Sequence, residues 1–285
     1  MILITGASGH VGRRTAELLA QKGRALRLMV RDAKRAPKLS NSEIVEADYA
    51  NSESLDKAFS GVDTAFVVSG HAEPGERAKL HKNAFDAAAR NGVGHVVYLS
   101  FQGASPDSKF PFGRDHHQSE QYLRASGMPF SALRDNLYLD MVLELFNEDG
   151  VIRAPAGQGA AAYVAREDVA QVTAAVLSNP PDSSAVYDVT GPEALTLAEA
   201  AKRLSVLVGR ELRYENESVE ESRKWRSKFD APAWEVETWL GSYLAIAAGE
   251  LTAVSDTVLR FTGRQPLSLE SYFADRPYLL ANLRR

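Results

Sequence analysis

The chain has 285 residues, 45% of them hydrophobic and 25% charged, the balance of a globular protein with one large core or a core and a smaller lobe. A formal net charge of −4 argues against a partner held through nucleic-acid phosphates, and the absence of cysteine removes disulfides, zinc–thiolate sites and thiol nucleophiles together. The apolar start at residues 1–4 is too short for a signal peptide and the uncharged stretch near 239–249 too short to span a bilayer, so a soluble, cytoplasmic chain without a membrane partner is expected.

In chain order, short aliphatic runs alternate with amphipathic segments. The pattern predicts strands at 2–4, 26–30, 44–45, 65–68, 95–99 and 130–133, and helices at 11–21, 55–59, 76–90 and 113–125. Strand and helix in alternation, with strands apolar throughout, specify an α/β fold: a Rossmann-type, doubly wound parallel sheet covered on both faces. Beyond residue 139 the rhythm changes. A strand is expected at 163–165, a helix at 167–177 and a strand at 186–189. Thr196 and Glu199 form a capping-box pattern for a helix ending before Gly209, and the remainder is mostly helical, with one long helix over 232–249. The expected division is a dinucleotide-binding lobe over 1–138 and a smaller, mixed but mostly helical substrate lobe over 139–285, partly interwoven and facing each other across a cleft.

Gly6, Gly9 and Gly12 stand three apart in Thr5-Gly6-Ala7-Ser8-Gly9-His10-Val11-Gly12, between the first strand and the first helix. Glycine is needed there for the sharp turn, for close approach to a pyrophosphate and for helix-on-sheet packing, while the helix N-terminus offers free N–H groups to the anion. After the second strand, where NAD-binding chains place an acid, this chain has Arg31 followed by Asp32. Arg24, Arg27, Lys34, Arg35 and Lys38 make the neighbourhood basic. A guanidinium suits a 2′-phosphate, so NADP(H) is favoured, while Asp32 leaves NAD(H) open.

These residues, with Ala47-Asp48-Tyr49, His116-x-x-x-Glu120, Leu133-Arg134-Asp135-Asn136-Leu137-Tyr138 and 163–169, resemble the NmrA-like branch of the atypical short-chain dehydrogenases/reductases. Within it the chain looks most like the bacterial NADPH-dependent quinone reductases and triphenylmethane reductases, over nearly its whole length. The resemblance implies a cofactor site in which residues 6–11 hold the pyrophosphate, Arg31 the 2′-phosphate, Asp48 and Tyr49 the adenine, and Ser69, Gly70 and His71 the ribose. It also implies that Tyr138 approaches the nicotinamide and that Lys82 reaches in from its helix. Close relatives read Leu-Arg-Asn where this chain reads Leu133-Arg134-Asp135-Asn136, which puts a strict transfer of amide contacts in doubt.

A typical member of the wider superfamily donates a proton from a Tyr-x-x-x-Lys pair. Here His116 and Glu120 occupy those positions, one helical turn apart. Reduction of a ketone develops an alkoxide with a conjugate-acid pKa of about 16, whereas a reduced quinone leaves as a phenolate-like anion with a pKa of about 10. A cationic dye accepting hydride at carbon needs no proton. The expected chemistry is therefore direct hydride transfer from NADPH to a quinone-like or otherwise conjugated aromatic small molecule. His116 is the candidate hydrogen-bond donor, with Glu120 favouring its charged form, and Ser100 is a candidate at the end of the fifth strand. An ordinary His/Glu helix pair and an ordinary turn serine are the plainer readings of the same residues.

No metal motif is present: His116 and His117 are adjacent and point about 100° apart on a helix. Trp225, Phe229, Trp234, Trp239 and Tyr243 fit either a helical core or the wall of an aromatic pocket, and Arg166 and Asp168 a joint between lobes. The missing Tyr/Lys pair keeps one alternative, an NADP(H)-binding redox sensor without catalysis; a third reading is an accessory reductase serving oxygenation of a polycyclic aromatic. No coiled coil or apolar stripe demands a dimer.

Overall fold

The computed structural model describes residues 1–284. The chain runs β1 (Ile2–Ile4), α1 (His10–Gln21), β2 (Leu26–Val30), β3 (Ser42–Glu46), α2 (Ser52–Phe59), β4 (Thr64–Val67), α3 (Glu76–Arg90), β5 (His95–Phe101), α4 (Pro111–Ser126) and β6 (Phe130–Asp135). It continues through α5 (Met141–Glu144), β7 (Val151–Ala154), β8 (Ala160–Ala161), α6 (Arg166–Ser178), β9 (Ala185–Val189), β10 (Leu195–Thr196), α7 (Leu197–Val208), β11 (Arg213–Asn216) and α8 (Val219–Arg226). The last helices are α9 (Ala233–Ala247), α10 (Thr257–Thr262) and α11 (Leu269–Ala274), followed by the 3₁₀ segment Pro277–Arg284.

Seven parallel strands form one sheet in the order β3-β2-β1-β4-β5-β6-β9. Alternate residues of the inner strands feed opposite cores. Ile2, Ile4, Leu28, Phe66, Val97 and Leu133 pack with α1 and α6 on one face. Leu3, Met29, Ala65, Val67, Val96, Tyr98 and Ala132 pack with α2, α3 and α4 on the other. Both faces are thus apolar, which is why the strands read as continuous hydrophobic runs. The chain leaves β1 toward β2 on one side and returns to β4 on the other. This reversal opens a crevice beyond the carboxyl ends of β1 and β4, where a doubly wound sheet takes its ligand.

The second half does not stand apart from the first. α6 packs on the α1 face and β9 extends the main sheet beside β6, while β7, β8, β10, β11 and the remaining helices surround a third core. Thr196 and Glu199 close a capping box at the start of α7, and Gly209 ends it at φ 70°.

Two local expectations are corrected. Residues 163–165 form no strand: Val164 makes one bridge to Tyr138, and the strand lies earlier, at β8, paired with β10. The remainder after Gly209, expected mostly helical, instead opens with the strand β11, which pairs in parallel with β7 before α8 starts.

Candidate active site: a nucleotide crevice beside an aromatic chamber

The glycine turn has the backbone its sequence requires. Gly6 lies at φ +59°, and a Cβ on Gly12 would fall 2.4 Å from the Gly6 carbonyl oxygen, so any side chain there would push α1 off the turn. Gly9 caps α1 without a side chain, and the first turn carries no acidic residue. The leading N–H groups of α1 are therefore open to an anion, and the helix dipole favours one. Ser8, Gly9, His10 and Val11 line the crevice, while the Ala7 side chain is buried in the sheet core and leaves only its backbone to the turn.

From the turn a cavity of about 340 Å³ runs over the ends of β2, β3 and β4, bounded by Arg31, Arg35, Asp48, Tyr49, Ser69, Gly70 and His71. Arg31 and Arg35 are exposed, and neither guanidinium has an ion-pair partner among the described residues. Asp32 turns away to accept from the Lys34 N–H at 2.9 Å, capping the turn Ala33–Arg35. A cradle that only glycine fits and two free guanidinium groups beside it suit a dinucleotide with an added phosphate on its adenosine ribose. Tyr49 is held as well as lining: its hydroxyl donates to the Val68 carbonyl at 2.9 Å and meets Thr5 Oγ1 at 2.6 Å, tying the ends of β1 and β4 together. Ser69 donates to the Leu99 carbonyl at 2.9 Å, and the His71 ring lies 5.4 Å from that of Trp234. Lys82 departs from expectation. It is exposed on α3, ion-paired to Asp86 at 2.6 Å, and lines none of these cavities.

On the other side of the turn lies a cavity of about 370 Å³, lined among others by Arg77, Phe101, Phe112, His116, Asp135, Tyr138 and Arg166. His116 is fixed by a buried relay. The Gly70 N–H donates to His81 Nε2 at 3.2 Å, so His81 carries its hydrogen on Nδ1, facing Ser119 Oγ at 2.8 Å and the Tyr98 hydroxyl at 3.0 Å. Ser119 spends its own hydrogen on the Asp115 carbonyl, and the Tyr98 hydroxyl donates to His116 Nδ1 at 2.9 Å. His116 is then a neutral imidazole with its remaining hydrogen on Nε2. Burial above all, then the cations Arg77 and Arg134 with His81, holds its pKa well below the usual range.

Glu120 does not serve His116. It is fully buried, accepts from Arg134 at 2.7 and 2.8 Å and from Ser100 Oγ at 2.7 Å, and pairs with Arg124. Burial pushes its carboxyl up, but Arg134 and Ser100 outweigh that and hold it below its ordinary value. The expectation that Glu120 charges His116 is therefore corrected. Ser100 is fully buried on Glu120 and lies outside the cavity lining.

Several lining residues escaped the motifs. Arg77 is 6% exposed, donates to the Gly70 carbonyl at 2.8 Å, sits 4.3 Å from the Phe112 ring centre, and has one Nη without a hydrogen-bond partner. Asp135 accepts from the Tyr138 hydroxyl. Arg166, expected only as a joint, pairs with Asp140 and lies 4.4 Å from the Tyr138 ring centre. Asp168 is structural, accepting from the Leu267 N–H at 2.8 Å.

Leu137, Tyr138 and Met141 also border a third cavity, of about 470 Å³, lined mostly by residues of the 139–285 half. Its walls include Tyr163, Trp225, Phe229, Trp239 and Tyr243, so most of the aromatic set lines a chamber; Trp234 stands apart near His71 and Phe112. The Tyr163 hydroxyl is buried with no hydrogen-bond partner. Among the described residues no helix is long and apolar enough to cross a membrane, and no three His, Cys, Asp or Glu side chains come together.

Sheet, glycine turn and crevice define a dinucleotide-binding protein of the doubly wound class. The model of the NAD(P)H-binding family matches residues 6–180, and the chain belongs to that family. It is 33% identical over 96% of its length to the (4-alkanoyl-5-oxo-2,5-dihydrofuran-3-yl)methyl phosphate reductase of Streptomyces griseus, covering 97% of that protein. Among solved structures, the NADPH-dependent quinone oxidoreductase of Escherichia coli complexed with NADPH superposes with a TM-score of 0.88 at 27% identity, covering 98% of this chain and 100% of that one. The Citrobacter sp. triphenylmethane reductase complexed with NADP(H) gives 0.86 at 28% identity, covering 96% and 99%.

Proposed function

We propose that this protein transfers hydride from NADPH to a planar, conjugated small-molecule acceptor of the quinone or aromatic-cation type. The carrying observation is that the two cavities share Leu137, Tyr138 and Met141 as lining residues, which sets an aromatic chamber next to the cofactor crevice. The names of the two structural relatives, a quinone oxidoreductase and a triphenylmethane reductase, support the same acceptor classes. In this reading residues 6–11 hold the pyrophosphate, Arg31 and Arg35 the 2′-phosphate, and Tyr49, Ser69, Gly70 and His71 the adenosine. Bound NADPH supplies the hydride. The rest of the site excludes water and orients the acceptor, with residues from the 139–285 half forming most of the chamber wall.

His116 acts as a neutral hydrogen-bond donor. Releasing a proton from a neutral imidazole would leave a buried anion, so its part is to orient and polarise the acceptor rather than to protonate it. Consumption of NADPH, followed by its absorbance over a panel of quinones and triarylmethane cations, tests the reading. Acceptor-dependent oxidation is expected. Clear thermal stabilisation by NADPH without turnover of any panel member would instead support a cofactor sensor, the reading kept open by the missing Tyr/Lys pair.

A further inference from the structure

We propose that Tyr138 is the proton donor to the reduced acceptor and that Asp135, directly behind it, is the carboxylic acid that resupplies the proton. The inference rests on the reductase reading and adds the step which that reading leaves unassigned. Asp135 is the last residue of β6 and is 5% exposed; Tyr138 lies three residues on, and its hydroxyl is bonded to the Asp135 carboxyl. Both line the cavity that holds His116, and Tyr138 alone of the pair also borders the aromatic chamber.

The direction of the Tyr138–Asp135 bond decides whether a proton is on offer. With Asp135 ionised, the Tyr138 hydroxyl must point its hydrogen at the carboxylate. With Asp135 protonated, the carboxyl donates to the Tyr138 oxygen and the tyrosine hydrogen is free to turn to the acceptor. The balance is simple. A quinone that has gained one hydride carries an oxyanion; that oxygen takes the Tyr138 proton, the Tyr138 oxygen takes the Asp135 proton, and water returns a proton to Asp135.

The surroundings poise the pair near neutrality. Burial raises the Asp135 carboxyl to about 7, against the Tyr138 hydroxyl and the cations Arg77 from α3 and Arg166 from α6. Burial and the adjacent carboxyl raise Tyr138 well above its ordinary range, so it gives up a proton only while Asp135 can replace it. The other ionisable neighbours are accounted for: His116 from α4 is neutral and turned to Tyr98, Asp140 pairs with Arg166, and Asp115 accepts from the Gly75 N–H at 2.9 Å beside Arg77.

The test compares two acceptors, a quinone whose reduction needs a proton and a triarylmethane cation whose reduction needs none. For the unmodified protein, kcat/KM for the quinone falls by up to about tenfold per pH unit above about pH 7, and the cation lacks that limb. In D135N and Y138F the limb disappears and the ratio of quinone to cation turnover drops by about tenfold or more. A second readout is independent of turnover: the infrared band of a buried protonated carboxyl is present at pH 6 and absent in D135N. Quinone and cation profiles of the same shape in the unmodified protein, with an unchanged ratio in D135N, would overturn the proposal alone. No turnover of either acceptor would overturn the reductase reading and the proposal with it.

Discussion

Glu120 follows His116 by one helical turn, yet the two side chains share no hydrogen bond: His116 faces Tyr98 on β5, and Glu120 faces Arg134 on β6. One pair of positions thus does two jobs, one lining the cofactor cavity and one locking α4 to the sheet. The charges of Glu120 and Arg134 are largely desolvated, and removing one would strand the other. E120Q is expected to cost about 3 kcal/mol of stability, read by urea unfolding. It should leave the pH dependence of turnover unmoved. A stable E120Q protein with a shifted pH profile would restore the role the sequence suggested.

Two buried neutral histidines make acid conditions unfavourable. Burial holds both His81 and His116 well below their ordinary pKa, so between neutrality and that folded value only the unfolded chain gains protons. Stability is therefore present above about pH 6.5 and lost as pH falls. From pH 7 to pH 5 the two groups together remove up to about 4 kcal/mol, offset in part by Asp135, which the folded chain protonates near 7, and H116N should remove half of the histidine part. A change in urea midpoint between the two pH values that is the same in H116N as in the unmodified protein would show that native His116 binds this proton.

On the proposed reading, Arg31 is the residue expected to discriminate between the two cofactors. Its guanidinium lines the crevice without an ion-pair partner among the described residues, and a charge-assisted contact to a 2′-phosphate would be worth about 1.5–3 kcal/mol. R31A should raise KM for NADPH by roughly ten- to a hundredfold while changing that for NADH little. Equal effects on both cofactors would move the phosphate contact elsewhere, with Arg35 the next residue to replace.

Tyr163 should give a response of opposite sign in two assays. Its buried hydroxyl lacks a partner in the chamber wall, so Y163F removes a desolvated group and stabilises the protein by about 1 kcal/mol. If an acceptor oxygen satisfies that hydroxyl, the same change raises the acceptor KM several-fold. A higher Tm with an unchanged KM would mean that the acceptor stays clear of Tyr163.

The Rossmann half was legible because its signals are local. Alternating apolar runs mark strands buried on two faces, α3 begins and ends at the residues its period implied, and the glycine spacing states where the backbone must turn. The strands misplaced or missed are short, two-stranded pairings outside the main sheet. β11 is the polar run Arg213–Asn216, whose partner lies some sixty residues earlier, so no local pattern announces it. The candidate catalytic cavity was legible at the glycine turn, at Ser69, at His116 and at Tyr138, but not at its remaining walls. Arg77, His81, Tyr98 and Asp135 come from α3, β5 and β6, and their convergence on His116 depends on strand order, which no spacing in the chain encodes. The position of Asp135 was visible as a departure from the pattern; its burial beside Tyr138 was not.

Hydride transfer itself is tested most directly by label. NADPH carrying deuterium at the transferable C4 position, turned over with a triarylmethane cation, should give a colourless product one mass unit heavier, with the deuterium on its central carbon. Bleaching that leaves the deuterium on the nicotinamide or releases it to water would contradict direct transfer between the crevice and the chamber.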